Sequence, residues 1–233
     1  MSHVMSRLMA RLFLRIRGQL YKEARMTMGE ESLFSSMALP VVIGPILEKL
    51  EAKDMAASQT LRAALTKVEN QHPGFCIELI RGVLHKAELG NHIDLSETLL
   101  RLEGTNDTEE FRIVRPEEPF RHLNHRALAL KKILSRIPLE IYDRKKFLET
   151  IKDIASAIKN LLDAVNNVFR FIQGQSNKQN LEQKKREFVR YSKKFSNTLK
   201  EFFKDNQKQE VFLSANFLIN QTNIIMKTIK ELC

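Results

Sequence analysis

An all-α fold is what this sequence predicts, with a small N-terminal helical unit followed by an up-down bundle of four helices. Three observations carry that prediction. The chain has eight Gly and six Pro in 233 residues, with no Trp and three Tyr, whereas a β-sandwich or barrel needs turn residues roughly every 8 to 12 positions. After Phe120, apolar residues recur at steps of three and four almost to the end of the chain. Between these regimes, residues 104–119 hold Gly104, Pro116 and Pro119 and no sustained helical stripe, which marks a boundary.

The charge is distributed as unevenly as the pattern. The chain carries 38 Lys and Arg against 28 Asp and Glu, a formal net charge of +10. Residues 1–25 hold six bases and one acid, residues 26–115 nine bases and fourteen acids, and residues 116–233 twenty-three bases and thirteen acids. A reversal of sign within one chain points to parts with different partners, because surface charge governs association more than fold.

Residues 1–25 form a basic amphipathic extension if helical, with Arg7, Arg11, Arg15 and Arg17 opposed to Leu8, Leu12, Ile16 and Leu20. Three readings fit: a mitochondrial presequence, a membrane-surface helix, or a dispensable extension before Met26 or Met28. The first unit spans 26–103. A helix starts near Pro40 and kinks or restarts at Pro45. Residues 55–70 set Met55, Leu61, Ala64, Leu65 and Val68 on one side, Pro73-Gly74 turns the chain, and Phe75–Lys86 repeats the pattern. Asp94, three residues before Glu97, starts a short helix ending near Glu103. Four such short helices expose more apolar surface than they can bury among themselves, so this unit is completed by a partner chain.

The second unit spans 120–233. Its first helix runs over 120–137 and ends at Pro138, the second over 140–172, the third over 178–205 after the GQSN turn at 174–177, and the last over 210–232. No apolar run approaches about 18 residues, so no membrane-spanning segment is expected. Cys76 and Cys233 are too few for a disulfide framework and suit a reducing compartment.

Catalytic chemistry finds no foothold in this sequence. The eight glycines never cluster, so no phosphate-cradling loop is expected. His122 and His125 share a helix face without further ligands at metal-binding spacing, and neither cysteine has a neighbouring histidine. The acids Glu109 and Glu110 stand in the linker, where nothing raises a carboxyl pKa. No catalytic residue, metal or cofactor is expected.

One constellation stands out instead. Lys152, Ala155 and Lys159 follow K-x2-A-x3-K in the second bundle helix, and Lys193, Ser196 and Lys200 follow K-x2-S-x3-K in the third. Residues at i, i+3 and i+7 lie along one helix face. Placed side by side, the two faces make a shallow groove with small residues at its centre, Ile158 and Leu199 as an apolar floor, and four ammonium groups on its lips. An amphipathic helix with leucines on one face and acids at its edges fits such a groove. A solvated charged face is the plain alternative. A nucleic-acid surface is a rival use, since KKREFVRYSKK at 184–194 mixes bases with Phe188 and Tyr191, and an anionic phosphoinositide membrane suits the same lysines.

Long strings carry a resemblance as well. FLETIKDIASAIKNLLDAVNNV (147–168), EFVRYSKKFSNTLKEFFKD (187–205) and SANFLINQTN (214–223), with IVRPEEPF (113–120), SETLLRL (96–102), ASQTLRAAL (57–65) and MTMGEE (26–31), closely resemble the programmed cell death protein 10 family, that of the third cerebral cavernous malformation protein. The resemblance covers the chain from Met26 onward and leaves residues 1–25 without a counterpart. It implies a dimerisation domain joined to a focal-adhesion-targeting-homology bundle in a cytoplasmic, non-enzymatic adaptor with Golgi and plasma-membrane association. It implies pairing, with itself or with germinal-centre group III kinases, through Leu61, Ala64, Val83 and Leu84, Val83 standing where the family has isoleucine. It further implies that Lys152, Ala155, Ile158, Lys159, Ser192, Lys193, Ser196 and Lys200 bind leucine-aspartate-type helices of paxillin-, malcavernin- and striatin-like scaffolds. Phosphoinositide binding is implied without assigned lysines.

Overall fold

Met28 opens a continuous helical run that reaches Glu51 by changing pitch twice. Helix α1 (Met28–Met37) passes into a π-helical turn over Ala38–Ile43 and then into α2 (Gly44–Glu51). The helix thus begins well before Pro40. Pro40, which cannot donate a helical hydrogen bond, is absorbed in the π turn. Pro45 follows at the next change of pitch, in the first turn of α2. The structure, a computed structural model, describes residues 28–90, 92–104 and 111–233, with side chains from Leu33 onward. The amphipathic reading of residues 1–25 and the acids Glu109 and Glu110 lie outside the described residues.

The stretch Leu33–Glu51 is long and apolar enough, by length and composition, to cross a membrane. The sequence reading overlooked it because no single run of apolar residues is unbroken there. In this fold much of it is core: Leu33, Phe34, Met37, Ala38, Val41 and Leu47 are buried, whereas Ile46 is 61% exposed.

Helix α3 (Met55–Gln71) starts where the Asp54 carboxylate accepts a hydrogen bond from the Ala57 N–H at 2.9 Å. The buried Ser58 hydroxyl ties it to α2 by donating to the Leu47 carbonyl at 2.7 Å. Helix α4 (Phe75–Lys86) follows a turn at Gly74, whose φ of +95° suits a residue without a side chain. The Glu69 carboxylate closes that turn by accepting from the N–H groups of Gly74 (2.6 Å) and Cys76 (2.8 Å). Helix α5 (Leu95–Glu103) is capped by Asp94, as its spacing from Glu97 predicts.

The C-terminal helical bundle comprises α6 (Glu118–Leu134), the single turn α7 (Ile137–Glu140), α8 (Arg144–Phe169), α9 (Gln175–Asp205) and α10 (Lys208–Leu232). Two prolines differ from their expected roles. Pro119 sits in the first turn of α6 and Pro138 in the first turn of α7, so each begins a helix where the sequence reading made one a linker residue and the other a terminator. Helix α6 pairs closely with α8 and α9 with α10, while α10 also lies against α6. Phe120, Phe147, Phe188, Phe195 and Leu130 are fully buried between them.

Helix α5 docks on this bundle, against α10 and α6. Leu99 and Leu100 are buried, and the buried Glu103 carboxylate lies 3.5 Å from the Lys131 ammonium and accepts from the Asn223 amide at 3.3 Å. The Asn216 amide donates to the Ser96 carbonyl at 2.7 Å. Farther along, the Asn124 side chain pairs with both backbone groups of Ile113. Arg115 meets Glu117 and donates to the Cys233 carbonyl at 3.1 Å. Leu33–Cys233 accordingly form one compact unit.

Candidate functional site

The relation between α8 and α9 follows from contacts near their ends. Phe147 meets Phe202 edge-on with ring centroids 5.6 Å apart, and Lys185 donates to the Asn166 side chain at 2.9 Å. Both fit one antiparallel register, in which Lys152 lies across from Lys200, Ala155 across from Ser196, and Lys159 across from Lys193. The backbones approach closely over only a short stretch, and the groove expected from the lysine spacing would be a furrow between these two helices.

Within that register the six motif residues, Lys152, Ala155, Lys159, Lys193, Ser196 and Lys200, are all exposed. Ile158 and Ser192 are half-buried, and Leu199 is buried beneath them. The Ser192 hydroxyl donates to the Phe188 carbonyl (2.9 Å) and the Ser196 hydroxyl to the Ser192 carbonyl (3.1 Å). Both protons are thus spent within α9, which leaves small surfaces that cost little to cover. Among the described residues, none of the ion pairs uses the four lysines, whereas Lys184, Lys185 and Arg186 are engaged with Glu187 or Glu182. The Lys185 ammonium holds the Glu182 carboxyl below its ordinary range.

The rings that suggest base stacking are occupied elsewhere. Phe188 is fully buried, and Tyr191 stacks on Phe217 at 5.4 Å with the planes 21° apart. Tyr191 and Phe188 serve packing between helices, so the basic run 184–194 has no free aromatic platform of the kind that single-stranded nucleic acid requires.

The second surface lies on α3 and α4. Helix α3 buries only Ser58 completely, which leaves Leu61 at 46% exposure and Ala64 open on its outer side. On α4, Val83 is 60% exposed and Leu84 half-buried, with Leu79 exposed one turn earlier. A face of this kind, apolar and uncovered by any of the described residues, is unusual for a helix that stands alone in water.

The remaining candidates are structural. Cys76 is buried, and burial first, then the hydrogen bond and charge of Glu69, push its thiol up to about 12, so it carries no thiolate at neutral pH. His122 accepts a hydrogen bond from Arg126 at 3.2 Å. No group of three potential metal ligands occurs among the described residues. Sequence reasoning missed two features. The pair Glu103–Lys131 was signalled only by Lys131 falling on the apolar stripe of its helix, and Leu148 and Phe203 stand exposed beside the furrow where the period alone assigns them to the core.

Helices among the described residues, an N-terminal region with exposed apolar side chains and a basic helical bundle are the features of an adaptor, a protein whose work is done by its surfaces. The family descriptions agree with that class. Residues 31–90 match the dimerisation domain of programmed cell death protein 10, and residues 93–182 match its C-terminal region. The programmed cell death protein 10 homolog of Caenorhabditis elegans is 39% identical over 210 residues, covering 87% of this chain and 96% of that protein. The chain belongs to the programmed cell death protein 10 family, and is therefore a non-enzymatic adaptor with an N-terminal helical dimerisation region and a C-terminal helical bundle.

Proposed function

We propose that the chain links two partners, one paired through α3 and α4 and one laid as a helix between α8 and α9. The pairing part occupies 26–103 and the focal-adhesion-targeting-type four-helix bundle 120–233, with 104–119 between them and α5 already seated on the bundle. Leu61, Ala64, Val83 and Leu84 pair with a second copy of the chain or with a germinal-centre group III kinase. The furrow takes acidic leucine-rich helices of striatin-, malcavernin- or paxillin-like scaffolds. Holding both partners raises the effective concentration of each for the other. Such an adaptor acts in the cytoplasm and at Golgi and plasma membranes.

The observation that carries this reading is the register of α8 against α9, which frames Ala155 and Ser196 with four lysines outside the described ion pairs. Leucines on one face of a docked helix meet Ile158 and Leu199, and its flanking acids meet the ammonium groups. The double variant Lys152→Asp, Lys200→Asp is expected to weaken an acidic leucine-rich peptide at least tenfold in a fluorescence titration, about 1.4 kcal/mol. Unchanged affinity would remove the furrow from the account.

The same lysines support a second reading, an anionic membrane surface carrying phosphoinositides. Flotation with vesicles of phosphatidylcholine alone and with added phosphoinositide separates it from the first. Lysine reversal that abolishes flotation while sparing peptide binding would favour the membrane.

A further inference from the structure

The two ends of the furrow are finished differently. At the α8–α9 turn, aromatic rings lie under cations: Lys178 and Lys185 sit 6.0 and 5.9 Å from the Phe169 ring, and Arg170 sits 5.1 Å from that of Phe171. The Lys185–Asn166 hydrogen bond spans the helices near that end. The other end is bare. Within the bundle, from Glu118 onward, the exposed large apolar residues among those described are Leu139, Tyr142, Leu148 and Phe203. All four lie toward the end where α7 and the α9–α10 turn meet. Lys208 covers Tyr142 at 4.1 Å. Leu148 and Phe203, at 44% and 43% exposure, have no comparable cation over them among the described contacts.

Their position continues the furrow. In the register above, Leu148 faces Phe203, each seven residues beyond the central pair Ala155 and Ser196. At about 1.5 Å per residue this is roughly 10 Å, two turns of helix. Lys152 and Lys200 stand one turn inside. Phe203 is held in place by Phe147, 6.0 Å away, and Phe202, 5.5 Å away, so the apolar end is formed before anything binds. A ligand helix that fits the lysine-framed section and keeps the same direction presents a further residue here at i+7 or i−7 from the one over Ala155 and Ser196.

We propose that this apolar end is a specificity subsite: the partner is an acidic amphipathic helix carrying an additional large apolar residue, seven positions from its central leucine, that seats between Leu148 and Phe203. The proposal rests on the furrow reading under "Proposed function" and deepens it. Charge complementarity commits the occupant, because an acidic helix is what the lysines on either side of the subsite attract. Since only one end is bare, the subsite also makes the furrow directional. A helix with its extra apolar residue on the correct side gains contact with two exposed side chains, and one with it on the other side meets Leu162 and Val189, which are already half-buried.

The test uses the full chain and three synthetic acidic peptides in a fluorescence-anisotropy titration. The core peptide carries leucines at i, i+3, i+4 and i+7 flanked by Asp and Glu. The other two add a leucine seven positions before or after its central leucine. One extended peptide is expected to bind about tenfold more tightly than the core peptide, and the other no more tightly. Leu148→Ser and Phe203→Ser are each expected to erase that gain while leaving core-peptide affinity unchanged, which also shows that the variants are folded. Equal affinity for all three peptides, or a gain that survives both variants, would overturn the subsite and leave the furrow standing. Lys152→Asp, Lys200→Asp serves as the separate control: if it changes no affinity, the furrow itself fails.

Discussion

Helices α3 and α10 show how differently the two regions of this protein are completed. Helix α3 has 17 residues and buries only Ser58, while α10 has 25 and buries fourteen. Helix α10 is enclosed by α9, α6 and α5, so the bundle is stable by its own packing and can leave charges on its surface for docking. Among the described residues helix α3 packs mainly on α2 and less on α4. Its outer apolar face is where the proposed partner chain packs. The two regions are therefore proposed to bind by different physics, the first by covering apolar surface and the second by matching charge around a shallow furrow.

The sharpest way to break that contrast is to charge the N-terminal face. Leu61→Asp with Leu84→Asp places two carboxylates where an apolar partner must pack, and is expected to convert a dimer into a monomer by light scattering. Because both positions are at least partly exposed in the single chain, the thermal transition of the bundle should survive. A mass that stays at the dimer value would show that pairing uses another face.

A smaller effect probes how α5 joins the regions. Glu103→Ala leaves the buried Lys131 ammonium without its carboxylate and removes the acceptor of the Asn223 amide, and is expected to cost about 3 kcal/mol in denaturant unfolding. Loss of only a few tenths would mean that the contact carries no weight. The neighbouring Gly104 tells the same story by shape, since a Cβ there would lie 1.8 Å from the Ser135 hydroxyl oxygen.

The smallest expected effect is acid dependence. Burial pushes the Glu140 carboxyl up, but hydrogen bonds from Thr150 and Arg136 and the charges of Arg136 and Lys146 outweigh it and hold it below the usual carboxylate range. Glu117 is lowered chiefly by its hydrogen bond from Arg115. A carboxylate with a depressed folded-state pKa contributes stability above its unfolded pKa and loses it as pH falls through the folded value. Glu140→Gln is accordingly expected to lower stability at pH 7 and to shrink the loss between pH 7 and strong acid, read as thermal midpoints across that range. An unchanged pH profile would contradict the assignment.

Much of this arrangement was legible from the residues. The helices at 55–71, 75–86 and 95–103 follow from their periods and from Asp54, Gly74 and Asp94, since caps and turns act locally. The lysine pattern was legible because spacing along one helix is a local property. Which helices become neighbours is not, so the facing of Ala155 and Ser196 needed the Phe147–Phe202 and Lys185–Asn166 contacts. Pro119 and Pro138 misled because proline marks a helix start and a helix end with the same residue, and only the preceding backbone decides between them. The burial of Glu103 and Lys131 comes from the docking of α5 against α6 and α10, a tertiary event that the place of Lys131 on its helix's apolar stripe signals only weakly.

The central claim is that the two surfaces are separate, and sedimentation velocity with a fluorescent acidic leucine-rich peptide tests it most directly. The wild-type chain is expected to sediment as a dimer carrying the peptide. Leu61→Asp, Leu84→Asp should give a monomer that still carries it, and Lys152→Asp, Lys200→Asp a dimer that does not. Loss of the peptide from the monomer, or its retention by the lysine variant, would contradict the account.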